Sequence, residues 1–199
     1  MENTTSKLIK TINLKTKTMK KLLLMAGGLV SFGLSAQISG DLYIQNYTPH
    51  YVEYNIVRSN TASVTANCSP SIQSAPSTGL SKLTYSTNPG VTPAQAYYSD
   101  NINTSNTFNA SFPDTPLING WSINTAPAIF PVLPVLVAPT QWSGMKFGIQ
   151  DTSGTNIGGF YWMGKSCGGP IVADLSSYTN AVVSGQYYTL GGASWFIIY

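Results

Sequence analysis

The sequence predicts an all-β chain, a single antiparallel β-sandwich, in its most specific form a jelly roll, with long Ser/Thr/Asn/Pro-rich loops. Three observations carry this. First, residues 41–58, DLYIQNYTPHYVEYNIVR, alternate with period two. Leu42 and Ile44 oppose Tyr43 and Gln45, and Val52, Tyr54 and Ile56 oppose Tyr51, Glu53 and Asn55. Such alternation of β-branched and aromatic residues marks strands with one face buried. Second, turn-forming residues recur about every ten positions, the spacing of sandwiches and barrels. Third, no stretch has the apolar period of an amphipathic helix.

Taken in order, residues 41–58 read as two strands joined by a tight turn at Thr48-Pro49. Residues 59–78 read as a polar connection carrying Cys68. Leu80–Tyr85 is a short strand closed by the Asn88-Pro89-Gly90 turn, and Ala94–Ser99, Thr107–Phe112 and Leu117–Ile123 are further strands. Residues 126–139, APAIFPVLPVLVAP, are wholly apolar and hold Pro127, Pro131, Pro134 and Pro139. These prolines remove backbone donors and forbid a helix, so the segment is not a membrane span but an extended piece packed on the core or along a sheet edge. The alternative is an exposed loop in which Ile129, Phe130, Val132, Leu133, Val135 and Leu136 dock on a membrane or a partner. Met145–Gln150 and Asn156–Met163 form a hairpin around Asp151-Thr152-Ser153-Gly154, with Gly158-Gly159 marking a bulge. Ala181–Leu190 reads as another hairpin turning at Ser184-Gly185. Ser194–Tyr199, SWFIIY, is apolar on both faces and belongs inside a sheet.

The N-terminal part reads differently. Met19-Lys20-Lys21, the apolar run Leu22–Leu34 and the small residues Ser35-Ala36 have the anatomy of a secretory signal peptide cleaved near Ala36. Translation is expected to start at Met19, giving residues 1–36 as extension plus leader and 37–199 as one domain. The leader resembles those of exported proteins of Bacteroidetes-type bacteria, and the chain as a whole resembles their small exported β-rich proteins. Localisation is therefore expected outside the cytoplasm, as a secreted, periplasmic or outer-surface protein. Six of the ten basic residues (Lys7, Lys10, Lys15, Lys17, Lys20, Lys21) lie before Gln37. The remainder keeps Arg58, Lys82, Lys146 and Lys165 against Asp41, Glu53, Asp100, Asp114, Asp151 and Asp174, four minus six giving a net charge of −2. A nucleic-acid partner is excluded, because no basic stripe exists to neutralise phosphates.

Cys68 and Cys167 are the two cysteines of the chain. In an oxidising compartment one disulfide between them is the default. The competing reading is catalytic. Gly164-Lys165-Ser166-Cys167-Gly168-Gly169-Pro170 resembles the nucleophile loop of chymotrypsin-like proteases. That resemblance implies a Cys167 nucleophile with His50 and Asp100 as its partners, in the family's chain order. Lys165-Ser166 stands where that family has an acidic residue, and few residues precede His50. A lone histidine rules out a multi-histidine zinc site, and no cofactor or metal is expected.

Function is expected to be binding rather than catalysis. The chain is only 9% charged yet carries 12 Tyr, 7 Phe and 4 Trp. Tyr97, Tyr98, Trp121, Trp142, Tyr161, Trp162, Tyr187, Tyr188 and Trp195 are the candidates for stacking on sugar rings. Adjacent aromatics on a strand point to opposite faces, so one member of each pair is expected to leave the core. Aromatics beside Asn, Ser and Thr suit neutral carbohydrate, so the favoured partner is a glycan or cell-surface component. The alternative is a small membrane-active, pore-forming toxin, since the chain is similar in architecture to the aegerolysin and actinoporin sandwiches.

Overall fold

A computed structural model describes residues 40–199, so the leader, the Met19 start and the cleavage point lie outside the described residues. Eleven strands follow in chain order: β1 (Leu42–Asn46), β2 (Tyr51–Ser59), β3 (Ser71–Ser74), β4 (Ser81–Leu83), β5 (Ala94–Tyr98), β6 (Trp121–Ile123), β7 (Gln141–Gln150), β8 (Asn156–Lys165), β9 (Ile171–Val172), β10 (Gly185–Leu190) and β11 (Ala193–Ile198). They build two packed sheets, a β-sandwich as expected. One is four-stranded in the order β10-β11-β1-β5; the other runs β6-β3-β2-β7-β8-β9, with β4 also on β2. The two sheets are unequal, four strands against seven, and β1 pairs with β11 in parallel.

The alternation of residues 41–58 places Leu42, Ile44, Val52, Tyr54 and Ile56 in the core, fully buried. The hairpin expected there does not form: β1 pairs with β5 and β11, whereas β2 pairs with β3, β4 and β7 in the other sheet. Buried Asn46 turns the corner between sheets. Its Nδ2 donates to the carbonyls of His50 (2.7 Å) and Thr84 (2.8 Å), and its Oδ1 accepts from the Thr48 amide and hydroxyl. An asparagine satisfying backbone groups in this way gives the chain a turn that needs no strand partner.

Other expectations are corrected locally. Residues 107–112 form an irregular loop of bends and a turn, not a strand. The expected hairpin within 181–190 is displaced: β10 begins at Gly185 and turns at Gly191-Gly192 into β11, both glycines at positive φ as a two-residue hairpin turn requires. The resulting β11 sits between β10 and β1, inside its sheet as its two-faced apolar pattern demands. In residues 126–139 a single helical turn, α1 (Pro134–Val137), does form, with Pro134 at its first position, where the missing N–H is no loss. The segment divides by side chain. Val132 is buried and Phe130 and Leu136 pack on the core, whereas Ile129, Leu133 and Val135 are exposed. Among the described residues, no helix is long and apolar enough to cross a membrane.

The β7–β8 hairpin forms as expected, with a register shift opposite the Gly158-Gly159 stretch. Its turn is closed by Asp151, whose Oδ1 accepts from the Ser153 and Thr155 amides and the Ser153 hydroxyl. The Ser153 hydroxyl and these backbone donors hold the Asp151 carboxyl below its ordinary range. Cys68 and Cys167 are joined in a disulfide with Cα atoms 5.7 Å apart, tying the loop after β2 to the loop after β8.

Candidate functional site

Strand alternation sorts the predicted stacking residues. Tyr98, Tyr161 and Tyr187 point inward and are buried, as are Trp121 and Trp142. These five, read from the sequence as ligand candidates, belong to the hydrophobic core. Tyr98 joins the sheets: its hydroxyl donates to the Pro116 carbonyl (2.8 Å) and lies 2.7 Å from the Tyr54 hydroxyl. Tyr97, Trp162 and Tyr188 point outward.

On the outer face of the four-stranded sheet, register brings four aromatics into one row. Tyr188 is opposite Trp195, Trp195 opposite Tyr43, and Tyr43 opposite Tyr97. Tyr43 and Trp195 stack at 4.2 Å between ring centroids, and Phe112, from the loop after β5, stacks on Tyr97 at 5.0 Å. Two positions along, Gln186, Ile197, Gln45 and Gln95 form a parallel, largely amide row. Trp195 lies between Tyr43 and Tyr188, and Tyr43 between Trp195 and Tyr97, so the rings in the middle of the row are occupied with one another. Stacked rings at cross-strand positions chiefly stabilise the sheet. Burial and the neighbouring Asp41 carboxylate raise the pKa of both Tyr43 and Tyr97, so both stay neutral hydrogen-bonding groups.

At the β5 end of the row the surface opens into a cleft of about 280 Å³. Tyr97 and Phe108 supply aromatic walls, and Ser99, Thr104, Thr107, Asn109 and Thr115 supply hydroxyl and amide groups. No carboxylate, ammonium or guanidinium lines it. Phe108 is 64% exposed. The loop forming the outer wall is held from several sides. Phe112 stacks on Tyr97, the Tyr97 amide donates to the Thr115 hydroxyl (3.1 Å), Ile102 is buried, and the Ser105 hydroxyl donates to the Ile118 carbonyl (3.0 Å). Asn103 exchanges two 2.8 Å bonds with the backbone of Val132, tying this loop to the apolar segment. The cleft is therefore built on a braced wall, with one exposed ring and several hydroxyls facing one space.

Tyr97 and the buried Tyr98 are the residues read from the sequence that line this cleft. Phe108 and Phe112 lay in a stretch expected to be a strand, and Tyr43 stands beside Trp195 through a parallel pairing that no local pattern announces. The protease reading fails at its nucleophile, because Cys167 is bonded to Cys68 and no free cysteine exists among the described residues. Asp100, its presumed third member, instead makes an ion pair of 2.6 Å with buried Arg58. Among the described residues, no group of three His, Cys, Asp or Glu side chains is placed to hold a metal ion. Compared with protein-family models, with curated proteins and with solved structures, the chain matches none.

Proposed function

We propose that this is an exported, non-enzymatic carbohydrate-binding protein that takes a neutral glycan in the cleft between β5 and the loop of residues 99–115. The single observation that carries the reading is the chemistry of the lining: an exposed aromatic ring, Phe108, beside hydroxyl and amide groups, with no charged group among them. A ring face stacks on the apolar face of a sugar, while hydroxyls and amides exchange hydrogen bonds with its hydroxyls. A cleft without charge gives no electrostatic preference for an acidic or basic ligand. The disulfide fits an oxidising compartment and supports export.

A glycan array probed with the disulfide-bonded protein tests this. Neutral oligosaccharides are expected to bind, and Phe108→Ala, at an exposed position, to weaken that binding by roughly tenfold, the loss of one stacking contact. An array with no neutral hit above background overturns the reading. A second reading, membrane contact through residues 126–139, draws on the exposure of Ile129, Leu133 and Val135. It predicts dye release from liposomes at micromolar protein, and intact vesicles would end it.

A further inference from the structure

We infer a second binding site, for an anionic sugar unit, in a groove on the outer face of the seven-stranded sheet beside the disulfide. The groove measures about 350 Å³, at the lower end of the range of roughly 300–1,000 Å³ typical of small-ligand sites. Its position follows from β7 and β8. Trp162 of β8 lies over the backbone of Gly144, where a Cβ would run into the indole ring, so the missing side chain lets the indole lie against the strand. The indole thereby becomes one wall of the groove, with Gln73, Ser71 and Ser166 supplying polar groups around it.

The charge distribution is what singles this groove out. The described residues carry four cationic side chains, Arg58, Lys82, Lys146 and Lys165. Arg58 is paired with Asp100 and Lys82 with Glu53. Among the described residues, Lys146 and Lys165 have no carboxylate within 4.0 Å, and both line this groove. No Asp or Glu lines it. On a surface where acids outnumber bases, the two uncommitted ammonium groups thus converge on one concavity that also holds an aromatic wall. Two ammonium groups favour a carboxylate or sulfate, the indole favours a flat apolar face, and the amide and hydroxyls favour a hydroxylated ligand. A uronate or a sulfated sugar carries all three features, whereas an acidic peptide offers no sugar face to the indole. The site lies on the other sheet from the cleft at β5, so it does not depend on the neutral-glycan reading.

Calorimetric titration of the full chain, disulfide intact and at low ionic strength, tests this with trigalacturonate, a sulfated trisaccharide, cellotriose and triglutamate as probes. One or both acidic sugars are expected to bind, and which of them binds identifies the carboxylate or the sulfate as the source of charge. The affinity is expected to fall by roughly tenfold or more in K146Q/K165Q, to weaken with added salt and to be unchanged in Phe108→Ala. Both lysines are exposed, so their replacement leaves the fold intact. Absence of acidic-sugar binding at millimolar concentration overturns the proposal. So does binding that K146Q/K165Q leaves unchanged, or triglutamate binding as tight as that of the sugars, which would make the groove a peptide site.

Discussion

Among the described residues, Arg58 is the only cation in the core, and its surroundings show which of its contacts matters. It is almost wholly buried, while Asp100, its ion-pair partner, has a side chain 58% exposed. A pair with one end in water contributes about 0–1 kcal/mol. The larger contribution comes from the buried acceptors it satisfies, the Thr140 carbonyl and hydroxyl, from a part-buried bond to the Asp100 carbonyl, and from its stacking over Trp142 at 4.8 Å. Burial lowers its pKa, with Asp100 acting in the opposite direction. The tyrosine pair Tyr54 and Tyr98 gives a pH prediction at the same scale. Burial raises the pKa of both phenols. A group whose folded pKa lies above its unfolded value contributes stability that is complete below the unfolded pKa, about 10 for tyrosine, and is lost as pH rises beyond it. Unfolding followed by circular dichroism is therefore expected to steepen above about pH 10, with the last phenolate absorbance appearing together with it. Tyr54→Phe should flatten that dependence. Complete phenolate ionisation in the folded protein would contradict the pairing.

At the scale of elements, the β7–β8 hairpin shows how a glycine positions an outward-facing ring. A methyl at Gly144 collides with the Trp162 indole, whereas one at Gly159 meets nothing within 4 Å. Gly144→Ala is expected to cost about 1–3 kcal/mol through displacement of the ring, as overpacking does. Gly159→Ala should stay within about 0.5 kcal/mol, as an open surface position does. Urea denaturation of the two variants checks this, and equal midpoints would show that the indole does not rest on Gly144. The same hairpin was legible in the sequence because its strands are adjacent in the chain and its turn is chemically explicit, Asp151 capping three donors. The first two strands were legible only as strands. Period-two alternation reports which residues face the core, not which strand lies beside them, so the corner made by Asn46 looked like a hairpin. Likewise, prolines spaced through 126–139 concealed one helical turn, because Pro134 at a first helical position costs nothing.

For the molecule as a whole, the sandwich is closed by one covalent link between distant loops. The cysteines are 99 residues apart in sequence. Closing a loop of that length lowers the entropy of the unfolded chain and, in the chain-entropy model, contributes roughly 4–5 kcal/mol. Denaturation in reductant, or of Cys68→Ser/Cys167→Ser, is expected to show a loss of that order with the sheet spectrum retained in the absence of denaturant; no change in midpoint would contradict it. Composition and alternation made the fold class and the disulfide readable. The site was readable only in part. Tyr97 was found from its place on a strand, but a cleft wall made from turns has no period to detect. The groove on the opposite sheet depends on which lysines lack partners, and only the folded chain shows that. A neutral sugar held between Tyr97 and Phe108, as proposed, would be seen residue by residue in amide chemical-shift mapping with a neutral oligosaccharide. The perturbed amides are expected to gather at Tyr97, Thr107–Asn109 and Thr115 and to fall silent in Phe108→Ala; perturbations absent, or gathered away from this cleft, would contradict it.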